Sequence, residues 1–197
     1  MKRQAKYITL IIIGLFVISC NNGNLKTKNQ ILTSKPKITV YDYQIWISNL
    51  NKKELRDSFI VYLDTLTFNS RKNYIYCDSL RDDSIFRYSF SIVNDSFFFY
   101  NEFCKNIDTV FFDYKNDKIE LIKSYYDVIN SADEECYIYW NKKYGLISIY
   151  NYPWGALILF DHEEIPGFAK ETFYNFIIIQ EKEIQKEMPY QILKNEK

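Results

Sequence analysis

The chain has 197 residues, with 25 basic and 25 acidic side chains and a formal net charge of zero. This length suits one domain with a proper core, and a neutral chain without a basic block gives no electrostatic case for binding nucleic acid. Tyrosine and phenylalanine are abundant, at 18 and 15 residues, and aromatic side chains favour pleated, half-buried strands.

The N-terminus is basic and is followed by an apolar run. Lys2, Arg3 and Lys6 precede a stretch over 8–18 that is apolar except for a threonine and a glycine. This stretch is shorter than the roughly 20 residues that a membrane-spanning helix needs. It has the length typical of the apolar part of a signal peptide, and we therefore predict a signal peptide over 1–19.

The apolar run ends at Val17-Ile18-Ser19-Cys20, which resembles the lipobox of bacterial lipoproteins. The resemblance implies that residues 1–19 are removed and that Cys20 is the lipidation site. It would carry a thioether-linked diacylglyceryl group, with a further acyl chain such as palmitate on the new amino terminus. Two or more acyl chains hold a protein stably at a membrane. The alternatives are an ordinary secretory signal with an accidental cysteine, or an uncleaved anchor.

The residues after the cysteine bear on localisation. Asn21 and Asn22 follow Cys20, and lipoproteins of this kind in Gram-negative bacteria usually reach the outer membrane unless an acidic residue follows the cysteine. The resemblance thus implies a lipid anchor in the outer membrane, in its periplasmic leaflet. Residues 20–36 are polar and lack periodicity, which predicts a flexible tether. The expected partners are the lipid bilayer and an envelope protein or small ligand, without nucleic acid.

From residue 37 to residue 197 the sequence predicts a single antiparallel β domain. Apolar and aromatic residues alternate with polar ones, and turn signals recur every 8–12 residues. Asn94-Asp95 favours a tight hairpin because both residue types tolerate positive φ. Further hairpins are predicted at 115–117 and 141–145. The predicted strands cover 38–47, 59–63, 74–77, 85–93, 96–100, 109–114, 118–129, 137–140, 146–150 and 156–160.

The C-terminal part differs from this pattern and predicts a helix over 166–187. Pro166 suits a first helical turn, and apolar residues recur near one helical face. A buried strand over 176–179 is the alternative, because short apolar runs are ambiguous. The fold class is therefore mainly β: a meander of nine or ten strands that forms a barrel-like or half-barrel-like curved sheet, with a C-terminal α-helix. Closure would cover the inner faces and shield the edges.

Few residues indicate chemistry. His162 is the only histidine, and it lies in an acidic loop segment, 161–164, that matches no metal or catalytic spacing. The acidic pairs and triplets at 82–83 and 133–135 are typical of solvated turns. Cys77, Cys104 and Cys136 are expected to be buried thiols or to form one disulfide with one thiol left over. We predict no catalytic residue, metal ligand or cofactor.

Three aromatic residues near one hairpin are candidates for ligand binding: Trp140, Tyr144 and Trp154. Exposed rings of this kind would form a ledge for a sugar or an apolar ligand, whereas burial would make them core packing. The function predicted is a membrane-anchored envelope lipoprotein with a non-enzymatic binding or scaffold domain, which could hold an apolar ligand in the barrel interior. The alternatives are a glycan-binding surface lipoprotein and an envelope glycan hydrolase.

Overall fold

The computed structural model describes residues 35–46, 53–79, 85–127, 135–152 and 154–187. Within these ranges the chain forms ten strands, a π-helical turn (Phe168–Phe173) and one α-helix, α1 (Tyr174–Glu187). The strands are β1 (Lys37–Ile45), β2 (Lys53–Phe68), β3 (Arg71–Cys77), β4 (Phe86–Val93), β5 (Ser96–Phe99), β6 (Glu102–Tyr114), β7 (Asp117–Tyr126), β8 (Cys136–Asn141), β9 (Gly145–Asn151) and β10 (Ala156–His162).

Each strand pairs antiparallel with the next, and β1 pairs with β10, so the meander closes into a barrel. Closure leaves no unpaired edge among the ten described strands. Consecutive hairpins can therefore pair the hydrogen-bonding groups of their backbone without an exposed edge strand. Asn94 and Asp95, at the β4–β5 turn, both adopt positive φ, 48° and 65°. The predicted fold class and this hairpin are confirmed.

Alternation along the strands produces two apolar layers. In β1, Ile38 and Val40 point into the barrel, whereas Tyr43 and Ile45 lie on the outer face and pack in the layer below the helix. Successive side chains on a strand face opposite ways, and both faces of β1 are apolar because both are covered. The π-helical turn and α1 cover the outer face of β1 and of several strands from β6 to β10.

The helical segment is attached through aromatic rings. Phe168 and Phe173 are fully buried, and Phe112 of β6 contacts Phe168 edge-to-face at 5.5 Å and Phe176 at 5.1 Å. The predicted C-terminal helix is therefore confirmed, and the alternative strand over 176–179 is wrong. In the part of the chain that the structure describes, no helix has the length and apolar character needed to cross a membrane.

The barrel interior is a packed core in which rings from strands that are not neighbours meet. Phe97 of β5 stacks on Trp140 of β8, with 4.8 Å between ring centroids. Tyr76 of β3 lies 5.5 Å from Phe160 of β10. These ring contacts fill the space between the strands that they join, so aromatic side chains occupy this part of the barrel interior.

Two side-chain hydrogen bonds converge on Leu146 of β9, one from Tyr76 on the opposite wall and one from His162 on the neighbouring strand β10. The Leu146 amide donates to the Tyr76 hydroxyl oxygen at 2.7 Å, and the Leu146 carbonyl oxygen lies 2.7 Å from Nε2 of His162. Tyr76 comes this close because Gly145, at φ +90°, has no Cβ, and a Cβ there would collide with the Tyr76 hydroxyl. We call the contacts of Tyr76 and His162 with Leu146 the Leu146 brace.

The three cysteines of the described domain are buried and free. Burial raises the pKa of the Cys104 thiol to about 11 and that of Cys136 to about 12. Both thiols are therefore protonated near neutral pH and weakly nucleophilic. Of the two alternatives for these cysteines, the structure has buried thiols.

Replacing Tyr76 by phenylalanine should destabilise the fold by about 1–3 kcal/mol, because the buried Leu146 amide would lose its acceptor. Urea unfolding of the two proteins measures this difference. Tyr62→Phe is the control, since Tyr62 lies on the partly exposed outer face of β2 and should change stability by less than about 0.5 kcal/mol. Equal stabilities of wild type and Tyr76→Phe would contradict the brace.

Candidate functional site

Trp140, predicted as a ligand-binding residue, lies in the barrel core and is 0% exposed. Its indole Nε1 donates to the Ser124 hydroxyl at 2.9 Å, and Ser124 in turn donates to Asn106 at 2.6 Å. All hydrogen-bonding capacity of the indole is thus used inside the protein. Trp140 is therefore a core-packing residue, as the alternative interpretation has it.

The other two candidates lie in different environments. Trp154, in the turn before β10, is 58% exposed, whereas Tyr144 is 8% exposed. Tyr144 accepts a hydrogen bond from Lys143 at 2.9 Å and lies 6.2 Å from the His162 ring. Because Trp140 is buried, the two tryptophans do not form one exposed platform. Cys20 and the acidic positions 82–83 and 133–134 lie outside the described residues.

His162 is a buried core residue. It is 4% exposed, and its Nε2 lies against the Leu146 carbonyl. Burial lowers the pKa of its imidazole to about 4, so the ring is neutral near pH 7 and donates through Nε2–H. Its hydrogen bond to the backbone gives His162 a structural role in the Leu146 brace. No group of three or more potential metal-binding side chains occurs within the described ranges.

The structure does bring several tyrosines together in a pocket on the outer face of the barrel, beside α1. The pocket has a volume of about 220 Å³. Its floor comes from β7 to β9 and the turn that follows, and its wall comes from α1. We call it the tyrosine pocket; it is lined by Lys123, Tyr137, Tyr139, Tyr150, Tyr152, Gln180 and Glu181.

Strand register explains how the floor forms. Lys123 of β7 pairs with Tyr139 of β8, and Tyr137 of β8 pairs with Tyr150 of β9. Directly opposed residues on neighbouring strands point to the same face, so these four side chains meet on the outer surface. Gln180 of α1 accepts a hydrogen bond from the Tyr139 hydroxyl at 3.4 Å, which links the wall to the floor.

Lys123 lies over the tyrosine rings. Its ammonium is 4.2 Å from the ring centroid of Tyr137 and 5.5 Å from that of Tyr139, which are cation–π distances. Burial lowers the pKa of Lys123, and the negative charges of Asp108 and Glu181 act in the opposite direction. The pocket therefore holds a positive charge that its own rings stabilise.

Glu181 provides the pocket's carboxyl group and is only 3% exposed. Burial raises its pKa, whereas the Tyr150 hydroxyl and the charge of Lys123 lower it. Burial likewise raises the pKa of Tyr150, and the charge of Glu181 and its contact with the Tyr150 hydroxyl raise it further. This contact lacks the geometry of a normal hydrogen bond, so Tyr150 Oη and Glu181 Oε2 have no partner of normal geometry among the described residues.

Two neighbouring buried polar groups that contact each other without a normal hydrogen bond are unusual in a protein interior. Leaving a buried polar group unpaired costs about 1–3 kcal/mol, and more for a charged group. Such groups in a native structure call for a specific explanation, of which a functional role is one. Because both atoms belong to residues that line a pocket, they are candidates for contact with a ligand.

The lining residues do not include the two carboxyl groups that glycoside hydrolysis uses. Glycoside hydrolysis uses two carboxyl groups separated by about 5–9.5 Å. Glu181 is the only carboxyl-bearing residue among those that line the tyrosine pocket. What the pocket offers is aromatic surface, one carboxyl group, one ammonium group and several hydroxyls.

Our sequence-based prediction missed this pocket, although one signal was present. This signal is the position of Glu181 in the C-terminal helix. Glu181 follows Ile177 by four residues and Ile178 by three, spacings that place it on the same helical face as both. An acidic residue within an apolar stripe is the detectable signal, but the strand partners that complete the pocket depend on register.

Comparisons with known proteins add no relative. No protein-family model matches the chain, and neither a curated protein nor a solved structure matches it. The fold and the geometry of the tyrosine pocket therefore carry the functional argument.

The position of His162 predicts a pH dependence of stability. The pKa of its imidazole falls from 6.5 when unfolded to about 4 when folded, so the unfolded state binds the proton more tightly. Above about pH 6.5 this difference in pKa costs the folded state no stability. As the pH falls from about 6.5 towards 4, the unfolded state takes up the proton first, and the free energy of unfolding decreases by about 3 kcal/mol in total.

His162→Gln isolates this effect, because a glutamine amide can also donate to the Leu146 carbonyl but does not titrate. Urea unfolding between about pH 7.5 and pH 4 should show the wild type losing stability relative to the variant on acidification. Other acidic groups titrate in both proteins and cancel in the difference. Parallel pH profiles would contradict a buried neutral His162.

Proposed function

We propose that this protein is a membrane-anchored lipoprotein of the bacterial envelope and that its barrel is a non-enzymatic binding domain. The observation that carries the binding part is a pair of buried polar atoms in the tyrosine pocket, Tyr150 Oη and Glu181 Oε2, neither of which makes a hydrogen bond of normal geometry with the described residues. A ligand that binds both atoms would supply the hydrogen bonds that the protein interior does not provide. The ligand site of this proposal is the tyrosine pocket.

The anchor part of the proposal depends on the resemblance of Val17-Ile18-Ser19-Cys20 to a lipobox. Lipidation at Cys20 would attach two or three acyl chains, which is enough for stable anchoring. The asparagines that follow the cysteine favour the periplasmic leaflet of the outer membrane. No spanning segment is required for this attachment.

A site on the outer face is supported by the occupancy of the interior. Rings such as Trp140 and Phe97 fill the space between barrel strands that are not neighbours, so an apolar ligand would have to displace core side chains. The tyrosine pocket needs no such displacement. Its lining combines charged groups and hydroxyls with aromatic faces, which favours a ligand with polar groups over a purely apolar one.

Metabolic labelling with radioactive palmitate tests the anchor. The wild-type chain should incorporate label and fractionate with membranes, whereas Cys20→Ala should do neither. Cys77→Ala is the matched control, since Cys77 is a buried thiol of the barrel, and it should be labelled like the wild type. An unlabelled wild type, or equal labelling of Cys20→Ala, would contradict the lipid anchor.

Glu181→Gln tests whether the buried carboxyl group serves binding or folding. If Glu181 is retained for a ligand, removing its charge should stabilise the unliganded protein, by about 1–3 kcal/mol, because a buried group without full pairing is costly. Urea unfolding measures the change. Glu183→Gln, at an exposed position of the same helix, should change stability by less than about 0.5 kcal/mol. A marked loss of stability in Glu181→Gln would make Glu181 a structural residue.

A further inference from the structure

We infer that the tyrosine pocket binds one ring of a neutral saccharide. This inference rests on the proposed binding function and adds the chemical class of the ligand. It follows from three properties of the pocket: its size, its pair of opposite charges and its combination of ring faces with hydrogen-bonding groups.

The size of the pocket limits the ligand to a small molecule or to one unit of a longer chain. Its volume of about 220 Å³ is below the roughly 300–1,000 Å³ of pockets that hold drug-sized ligands. A long acyl chain or a folded peptide would extend well beyond it. A single pyranose ring is a compact unit on this scale, and the rest of an oligosaccharide could continue along the barrel surface.

The charges of the pocket disfavour a charged ligand. An organic cation would be attracted to Glu181, but Lys123 already occupies the cation–π position over Tyr137, at 4.2 Å, and would repel it. An anion would meet Lys123 but would face the buried carboxyl group of Glu181. A neutral ligand that both donates and accepts hydrogen bonds avoids either conflict.

The remaining lining matches the two kinds of surface that a sugar ring presents. Tyrosine rings provide flat, apolar surface for its C–H faces, and their hydroxyls provide polar contacts at the edges. Tyr137 and Tyr152 are both only partly buried. Glu181 Oε2 can accept from a sugar hydroxyl, and Tyr150 Oη, which makes no hydrogen bond of normal geometry with the described residues, can donate to one or accept from one.

The test uses the full-length, detergent-solubilised protein and a defined set of probes. An array of neutral mono- and oligosaccharides is screened first, and hits are titrated in solution by isothermal calorimetry. Tetramethylammonium, acetate and laurate serve as a cationic, an anionic and an apolar probe. Glu181→Gln and Tyr150→Phe remove one pocket group each, and Glu183→Gln is the matched control on the exposed side of α1.

We expect at least one neutral saccharide to bind, with affinity reduced at least tenfold by Glu181→Gln and by Tyr150→Phe and unchanged by Glu183→Gln. Circular dichroism of each variant confirms that it is folded. Binding of tetramethylammonium, acetate or laurate that both pocket variants abolish, without saccharide binding, would overturn this inference and leave the proposed binding function standing. Saccharide binding that both pocket variants retain would overturn the assignment of this site, and binding of no probe would count against both proposals.

Discussion

The hydrogen bond from the Leu146 amide to Tyr76 joins opposite walls of the barrel, and the arrangement of the rest of the molecule depends on it. The hydrogen bond of His162 to the Leu146 carbonyl holds the same residue from the neighbouring strand, β10. Neighbouring strands are joined by their own ladders, but opposite walls meet only through side chains. A register shift between β8 and β9, at Tyr139 and Trp140, skips Ile147, next to Leu146. The hydroxyl of Tyr76 and the imidazole of His162 then take the Leu146 amide and carbonyl. If the Leu146 amide and carbonyl had no hydrogen-bond partners, the cost in free energy would be about as large as the stabilisation from the ring stacking around them.

The packed interior is the reason that we propose ligand binding on the outside of the barrel. Small closed barrels either fill with side chains or enclose a ligand, and in this chain the aromatic rings fill the interior. The second apolar layer, between the barrel and α1, is where the structure leaves charged groups incompletely paired. Glu181 lies in that layer, buried beside Tyr150 and close enough to Lys123 for their charges to interact. Natural proteins depart from full pairing mainly at functional sites, and this departure is the reason that we propose a function for the tyrosine pocket.

Local patterns predicted most of the fold, whereas the pocket depends on contacts between distant residues. The turn at Asn94-Asp95 and the C-terminal helix follow from residue types and spacing alone. β2 is much longer than the predicted 59–63, running over Lys53–Phe68, because its ends pair with neighbours while remaining exposed and therefore lack apolar alternation. The burial of Glu181 depends on which strands α1 packs against. Trp140 could not be placed from sequence because the inward or outward orientation of a strand residue depends on register, which a β-bulge changes by one residue. A tryptophan near a hairpin looks the same in sequence whether it faces solvent or the core.

Amide hydrogen exchange at Leu146, measured by NMR, tests the central claim most directly. If opposite walls are joined at this residue, its amide should exchange only through global unfolding, with an exchange free energy equal to the unfolding free energy from urea titration. Exchange of the Leu146 amide at rates typical of exposed turns, such as Asn94-Asp95, would show that the walls separate in the native state. The interior would then be open to a ligand, and the argument for an outer binding site would fail.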